Sequence, residues 1–352
     1  MTESVDPIVD PRSAVMTFHT FASERNRTRF LSAGPSDGPL MLFLHGWPGI
    51  GLMWRAQLEA FSADGWHCVA PDMRGYGGSS APDATDAYRI EEIVADMVEL
   101  QDHLGGEPAV LVGHDWGSIV AGALASHEPD RVRGVVLVSW AYFPGSNALT
   151  NLVRLVDRNV YPYDEYPDGQ WDYYRQYTTH FDEAVTDLNA DVPASLASIF
   201  RAGDPQAVGS PSPSAAVSRN GGRFGSARRA PAVEPDRSIW SDEDFDALVC
   251  AFEAGGFHGP CAWYANDEAN IVFARAARDG GRLSMPVLFV NGDWDLICSI
   301  EGNAQGDPMR QTCTSLTLTS LPAGHWLPQE RSDELVGAIR AWLSASGLTR
   351  AE

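Results

Sequence analysis

One aspartate in a glycine-flanked turn is well placed to act as a nucleophile. Residues 113–117 read Gly-His-Asp-Trp-Gly and lie between an apolar run at 109–112 and a small-residue run at 118–125. The first run predicts a buried strand and the second a helix, so the pentapeptide has the setting of a nucleophile elbow. Because the exposed side chain is the carboxylate of Asp115, attack on an electrophilic sp3 carbon would form an alkyl ester, which disfavours an acyl-transfer esterase. The alternative is a plain surface turn.

An acid and a base that could support Asp115 follow later in the chain, each after a predicted strand. Asp293 and Asp295 follow the seventh predicted strand, and His325 follows the eighth. Ligands of open α/β sheets bind at the carboxyl ends of strands, and the order nucleophile, acid, histidine suits such an elbow. We expect His325 to be the general base. Asp295 is preferred over Asp293 as the orienting acid because it lies three residues past Gly292 and can fold back over the sheet edge.

A second loop could supply an oxyanion hole. Residues 44–49 read Leu-His-Gly-Trp-Pro-Gly and directly follow another apolar strand. Loops in this position supply one backbone N–H, and the residue after the nucleophile supplies the other. We therefore expect the N–H groups of Trp47 and Trp116 to hold the oxyanion, and the bond before Pro48 to be a candidate cis peptide. The alternative is an ordinary Pro-Gly turn.

Strand and helix patterns alternate along most of the chain and predict the fold class. Amphipathic helical segments separate short apolar runs that predict eight strands at 14–21, 28–32, 41–44, 67–70, 109–112, 134–139, 287–291 and 315–319. This order predicts an α/β fold with a mostly parallel eight-stranded sheet and helices on both faces. The alternation fails between 144 and 282. We expect two core segments, 1–143 and 283–352, around an inserted, mainly helical lid at 144–282, in which the Pro/Ser/Gly/Arg-rich stretch 209–235 is a loop or disordered excursion.

Composition excludes several kinds of partner and chemistry. The 352 residues carry a net charge of −22, which opposes binding to nucleic acid or an anionic membrane. All 25 basic residues are arginine, so lysine Schiff-base chemistry is excluded. The five cysteines are scattered without metal-ligand spacing, and the N-terminus lacks the pattern of a signal peptide. We expect a cytoplasmic protein with reduced thiols, no metal and no organic cofactor.

Taken in order, these motifs resemble the soluble epoxide hydrolases of the α/β-hydrolase fold family. The resemblance covers nearly the whole chain except about the first dozen residues and the stretch 209–235. Its motifs lie at 45–48, 54–55, 72–80, 113–117, 256–260, 263–264 and 324–326. The resemblance implies an α/β-hydrolase fold with Asp115 as nucleophile, Asp295 as orienting acid and His325 as base, in agreement with the strand-end argument.

The resemblance also implies two lid tyrosines that donate hydrogen bonds to the epoxide oxygen. One precedes the asparagine of residues 259–266, Gly-Pro-Cys-Ala-Trp-Tyr-Ala-Asn, and is therefore Tyr264. The other begins a Tyr-x-x-Tyr step. We expect Tyr174, from its spacing to Tyr177, with the neighbouring Tyr173 as the alternative register. Either tyrosine could instead be an ordinary core or rim residue of an aromatic-rich lid.

The predicted reaction is hydrolysis of a small hydrophobic epoxide to a vicinal diol. Asp115 attacks a ring carbon while tyrosine donates to the leaving alkoxide, and His325 then activates the water that cleaves the ester. Two alternatives stay open: a haloalkane or haloacid dehalogenase with the same Asp-His-Asp triad, in which the Trp116 indole holds the halide, and a non-catalytic binding protein of this fold. The lid tyrosines favour the epoxide, and the complete triad favours an enzyme. The sequence leaves open the natural epoxide, the stereochemistry and the oligomeric state, a homodimer being among the options.

Overall fold

The core is an eight-stranded sheet, seen in a computed structural model that describes residues 16–349. Its strands are β1 Thr17–Ala22, β2 Arg27–Ala33, β3 Leu40–Leu44, β4 His67–Pro71, β5 Ala109–His114, β6 Val132–Val138, β7 Leu283–Gly292 and β8 Cys313–Leu321. Their spatial order is β1-β2-β4-β3-β5-β6-β7-β8. The pairs β1/β2 and β2/β4 are antiparallel, and all other pairs are parallel. Each predicted strand is observed, although residues 14–15 of the first lie outside the described residues.

Burial explains why the central strands read as continuous apolar runs. Every residue of β3, β4 and β5 is buried, whereas β1 and β8 at the two edges alternate or are largely exposed. Parallel strands covered on both faces need apolar side chains in both directions. In the register of β3, β5 and β6, Leu44 pairs with Gly113, and His114 pairs with Val138. The residues that follow these strands therefore meet at one edge of the sheet.

Helices pack around the sheet in the pattern expected of an α/β fold. The α-helices are α1 Arg55–Ala63, α2 Ile90–His103, α3 Trp116–His127, α4 Leu149–Leu152, α5 Asp172–Thr179, α6 Phe181–Asn189, α7 Val192–Ile199, α8 Asp242–Gly255, α9 His258–Ala262, α10 Asp267–Arg275, α11 Asp307–Thr312, α12 Leu327–Glu330 and α13 Ser332–Ala345. Helix α1 contacts α13, and α2 contacts α3. The predicted α/β class is confirmed.

The chain between β6 and β7 leaves the sheet and contains helices α4 to α10 but no strand. It is joined to the core at defined points. Arg55 pairs with Asp244 through two guanidinium nitrogens, and the Trp263 indole N–H donates to the carbonyl of Arg74 at 3.0 Å. These contacts hold α8 and α9 over the carboxyl ends of the strands.

The stretch 209–235 is a packed loop, which is one of the two forms expected from its composition. It contains short 3-10 turns at Pro213–Ala216 and Gly225–Ala227, and several of its residues are buried against the rest of the chain. The Asp172 carboxylate accepts a hydrogen bond from the Ser218 N–H at 2.6 Å. Side-chain and backbone hydrogen bonds of this kind anchor a segment that carries few apolar residues.

Among the helices of residues 16–349, none is both long enough and apolar enough to cross a bilayer.

Candidate active site

Asp115 occupies a strained turn between β5 and α3. Its backbone dihedrals are φ 52° and ψ −123°, and such conformations cost residues other than glycine on the order of 1–3 kcal/mol. Close packing requires the flanking glycines. A Cβ on Gly117 would lie 2.0 Å from the carbonyl oxygen of Leu44, and one on Gly113 would lie 2.3 Å from the carbonyl oxygen of Gly117. The strand, sharp turn and helix expected around the carboxylate are all present.

The loop after β3 holds this carboxylate through a backbone donor. The Trp47 N–H donates to Asp115 Oδ1 at 2.8 Å, and the bond between Trp47 and Pro48 is cis. A Cβ on Gly46 would lie only 2.3 Å from Asp115 Oδ1, so the loop can approach this closely only with glycine there. His45 supports the loop by accepting a backbone N–H from the segment after β4, and burial lowers the pKa of His45 to about 4, which keeps it neutral.

Trp116, the other expected oxyanion donor, is the first residue of α3. The N–H groups of a first helical turn have no partner within the helix, so the backbone of Trp116 is free to donate beside Asp115. Its indole ring packs edge-to-face on Tyr264, with ring centroids 5.0 Å apart. That ring lines a small internal cavity together with Tyr174 rather than the cavity in front of Asp115.

His325 lies between the nucleophile and Asp295. Its Nδ1 lies 2.8 Å from Asp295 Oδ2, and its Nε2 lies 3.6 Å from Asp115 Oδ2. The other oxygen of Asp295 accepts the backbone N–H groups of Ile297 and Cys298 at 2.9 and 3.0 Å. These bonds fold Asp295 back over the sheet edge and aim it at the imidazole.

Asp293, the other acid considered, points elsewhere. Its Oδ1 faces the Asn291 amide at 3.4 Å, and its backbone N–H bonds the carbonyl of Leu321. The structure thus brings Asp115, Asp295 and His325 together and leaves Asp293 beside them.

The structure departs from the sequence expectation at one of the two tyrosines expected to act as donors. Tyr173 and Tyr264 line the same cavity as Asp115, with ring centroids 5.8 Å apart. Tyr174 does not line it: its hydroxyl donates to Asp267 Oδ1 at 2.6 Å. Consecutive residues of a helix point about 100° apart, so only one of the two neighbours in α5 can face Asp115. Tyr173, four residues before Tyr177, packs edge-to-face on it with ring centroids 5.8 Å apart.

A cavity of about 510 Å³ lies in front of the nucleophile, within the usual range for small-molecule sites. The sheet side contributes Asp115, Trp47 and His325, and the segment between β6 and β7 contributes Tyr173, Tyr264 and other residues. The reacting groups are therefore at the junction of these two parts of the chain.

Comparison with known proteins agrees with this geometry. A model of the alpha/beta hydrolase fold family matches residues 39–331. Epoxide hydrolase A of Mycobacterium tuberculosis is 31% identical over 327 residues, which cover 90% of this chain and 94% of that protein. The chain belongs to the epoxide hydrolases of the α/β-hydrolase fold family. Epoxide hydrolase B of the same organism is 30% identical, with 88% and 92% of the two chains covered.

Solved structures of epoxide hydrolases share the whole architecture. The crystal structure of epoxide hydrolase A from Mycobacterium thermoresistibile matches with a TM-score of 0.75 and 28% identity, covering 94% of this chain and 98% of that chain. An epoxide hydrolase from an endophytic Streptomyces also gives a TM-score of 0.75, at 27% identity, with 95% and 97% covered. The resemblance deduced from the motifs is thereby confirmed at the level of family and fold.

In this epoxide hydrolase, His325 lies between two carboxylates that determine its protonation. Burial lowers the pKa of His325, but the charge of Asp295 and the Asp115 carboxylate, 3.6 Å from Nε2, outweigh burial and hold the pKa well above its ordinary value. Burial likewise favours the neutral form of Asp295, yet the His325 charge and two backbone donors keep the pKa of Asp295 below its ordinary value. The two carboxylates therefore favour the protonated form of His325.

The surroundings of the two cavity phenols, Tyr173 and Tyr264, favour their protonated form. Burial raises the pKa of Tyr173 and of Tyr264 well above the ordinary value, and the negative charge of Asp115 adds to the shift in both. Both hydroxyls therefore stay protonated at neutral pH and can act as hydrogen-bond donors.

Sequence patterns do not point to two residues near the cavity, Cys298 and Arg223. One ligand atom from each of Asp295, Cys298 and His325 lies within 4.8 Å of the others, so these groups could bind a thiophilic cation. Asp295 and His325, however, already bond each other. The spacing of Cys298, three residues after Asp295, is the one available signal. For Arg223 the only signal is the arginine content of 209–235.

Replacing Asp115 with asparagine should lower the pKa of His325, because the negative charge 3.6 Å from its Nε2 is lost. NMR titration of the histidine ring signals measures this, and the His325→Gln variant assigns the resonance. Asp293→Asn is the matched control and should leave the pKa unchanged, since that carboxylate faces Asn291. An unaltered His325 pKa in Asp115→Asn would contradict the coupling described above.

Proposed function

We propose that this chain hydrolyses an epoxide to a vicinal diol through a covalent ester on Asp115, with Tyr173 and Tyr264 as the ring-opening donors. The observation that carries the proposal is one cavity lined by a held carboxylate, two protonated phenols and an imidazole that Asp295 orients. A strained ring needs a nucleophile on carbon and a donor on oxygen at the same moment, and this cavity supplies both.

Ring opening uses Asp115 and the two tyrosines. Because Trp47 N–H holds Oδ1 of Asp115, the other oxygen is free to attack a ring carbon. The new carbon–oxygen bond forms as the ring carbon–oxygen bond breaks, and the departing oxygen takes a proton from Tyr173 or Tyr264. The product is a hydroxyalkyl ester of Asp115 beside a tyrosinate.

Ester hydrolysis uses His325, whose pKa changes as a result of the first step. Asp115 loses its negative charge when it becomes an ester, so one of the interactions that raise the pKa of His325 is lost. His325 then releases its proton, and the tyrosinate takes up one proton and becomes a phenol again. The neutral imidazole then removes a proton from water as the water attacks the ester carbonyl carbon. The oxyanion forms on the oxygen that Trp47 N–H already holds, and the Trp116 N–H is placed to assist. Collapse releases the diol and restores the Asp115 carboxylate and protonated His325.

We also propose that residues 144–282 act as a lid on the core segments 1–143 and 283–352. Support comes from the strand-free course of this segment between β6 and β7, from its two cavity tyrosines, and from the bonds that join Arg55 to Asp244 and Trp263 to Arg74. A lid that carries the proton donors couples closure over the substrate to completion of the site.

Dehalogenation is the second candidate because one observation favours it. The indole N–H of Trp47 is buried and has no hydrogen-bond partner among residues 16–349, and Trp47 lines the cavity. A departing halide could accept that N–H. The Trp116 indole expected for this role lines the smaller cavity instead, which weakens the dehalogenase case.

A panel of aryl and alkyl epoxides, haloalkanes and haloacids tests the choice. We expect the purified protein to form diols, detected by chromatography with mass spectrometry, and to release no halide, detected by ion chromatography. The Asp115→Asn variant should abolish either activity and thus controls for contaminants. Halide release without diol formation would replace the proposal by a dehalogenase, and the absence of both would favour a binding protein.

Single tyrosine variants test which phenols act. Tyr264→Phe and Tyr173→Phe should each lower the ring-opening rate about 10-fold to 1,000-fold, because each removes a donor that acts as alkoxide charge develops. Tyr174→Phe is the matched control on the same helix: it loses its bond to Asp267 and should affect stability more than chemistry. Stopped-flow measurement of single-turnover ring opening, with circular dichroism as a check on folding, separates the two effects. A defect in Tyr174→Phe with normal chemistry in Tyr173→Phe would restore the register expected from the sequence.

A further inference from the structure

Arg223 brings a positive charge to the wall of the cavity in front of Asp115. It lies in the stretch 209–235, between the two 3-10 turns that anchor that stretch, and its side chain is partly buried. Its guanidinium carbon lies 5.2 Å from the Trp47 ring centroid and 5.9 Å from that of Tyr177. The Nε–H donates to the Tyr177 hydroxyl at 3.0 Å. These three contacts fix the plane and direction of the guanidinium.

No carboxylate neutralises this guanidinium within the part of the chain that the structure describes. Its two terminal nitrogens donate no hydrogen bond to any residue of 16–349, and no Asp or Glu oxygen there lies within 4.0 Å. Two of the other three arginines of the stretch are paired with carboxylates: Arg228 bonds Asp187 at 2.6 Å, and Arg229 bonds Asp191 at 2.5 Å. Two arginines line the cavity, and neither pairs with a carboxylate of residues 16–349, but Arg201 is exposed whereas Arg223 is partly buried.

Besides Asp115 and His325, two other charged residues line this cavity, and neither of them bonds Arg223. Arg201 and Asp204 are exposed, and both are engaged with backbone groups: Arg201 donates to the carbonyl of Glu234 at 2.9 Å, and Asp204 accepts the N–H of Gln206 at 2.8 Å. They also carry opposite charges. Asp115, His325 and Arg223 are thus the charged lining residues of this cavity that are not exposed.

We propose that Arg223 binds a carboxylate carried by the epoxide substrate, so that the enzyme prefers epoxy acids to neutral epoxides. This inference rests on the proposed function and names its substrate class. A guanidinium held by aromatic rings presents a planar pair of donors that matches a carboxylate, and partial burial strengthens such a bond. Neutralisation by Arg223 would also offset the repulsion between a substrate carboxylate and Asp115.

The position of Trp47 limits the separation of the two substrate groups. Its backbone N–H holds Asp115, and its ring packs against Arg223. The carboxylate and the oxirane would therefore lie on either side of a single residue. This arrangement favours acids in which only a few atoms separate the two groups.

The test compares terminal epoxy acids of graded chain length with their methyl esters, which lack the charge. We expect wild-type enzyme to show a higher kcat/KM for the short acids than for their esters, and this preference to shrink as salt is added. Arg223→Met should lower kcat/KM for the acids about 10-fold to 100-fold, through KM, and should leave the esters unchanged. Arg223→Lys should retain part of the preference.

Arg219→Met is the matched control from the same stretch. Its guanidinium lies 5.0 Å from the Tyr166 ring centroid and donates to the carbonyl of Glu165, and Arg219 does not line the cavity. This variant removes the same charge and should leave the acid preference intact. If it abolished the preference, general charge would explain the result and the proposal would be overturned.

Other outcomes also decide the matter. Equal kcat/KM for acid and ester in wild type, or an equal fall in kcat for both in Arg223→Met, would overturn carboxylate binding and make Arg223 a positioning residue for the lid. If the wild-type protein forms no diol from any epoxide, the proposed function fails. Calorimetric measurement of the binding of the epoxy acid and of its ester still decides the role of Arg223 in that case. Tighter binding of the acid that Arg223→Met removes would support it, and equal binding would not.

Discussion

The close approach of two backbone turns is the constraint on which the rest of the site depends. The elbow that carries Asp115 packs against the loop after β3 so tightly that Gly117 and Gly46 have no room for a side chain. This contact places the Trp47 N–H 2.8 Å from the carboxylate. It also sustains the strained φ of Asp115, since such conformations persist only where the surroundings over-determine them. The Asp115 carboxylate, the proposed nucleophile, is consequently held in place by the fold itself.

Charge balance is the second feature that follows from this placement. A buried carboxylate is costly unless donors or cations compensate for it. Asp115 has the Trp47 N–H on one oxygen and His325, whose pKa is raised, near the other. In the proposed mechanism, loss of the Asp115 charge on ester formation would change the protonation of His325 without any movement of the fold. In this account one side chain is a cation in the first half-reaction and a base in the second.

Local patterns made most of the fold and the elbow predictable from the sequence. The buried strands, the glycines around Asp115 and the order of acid and histidine are all encoded within short windows. The register of the lid tyrosines is not, because the choice between Tyr173 and Tyr174 depends on the bond to Asp267, which lies far along the chain. Composition likewise left open whether the stretch 209–235 is a loop or a disordered excursion, because its order comes from hydrogen bonds to partners such as Asp172. Arg223 escaped notice for the same reason.

The covalent ester of Asp115 is the central claim, and intact-protein mass spectrometry of His325→Gln after epoxide addition tests it most directly. Without the base, ring opening should proceed and ester hydrolysis should slow by about 10² to 10⁴. The account predicts a gain of one substrate mass, located by peptide mapping on the segment that contains Asp115 and absent from the double variant that also carries Asp115→Asn. An unmodified His325→Gln protein, under conditions in which wild type forms diol, would contradict the covalent mechanism.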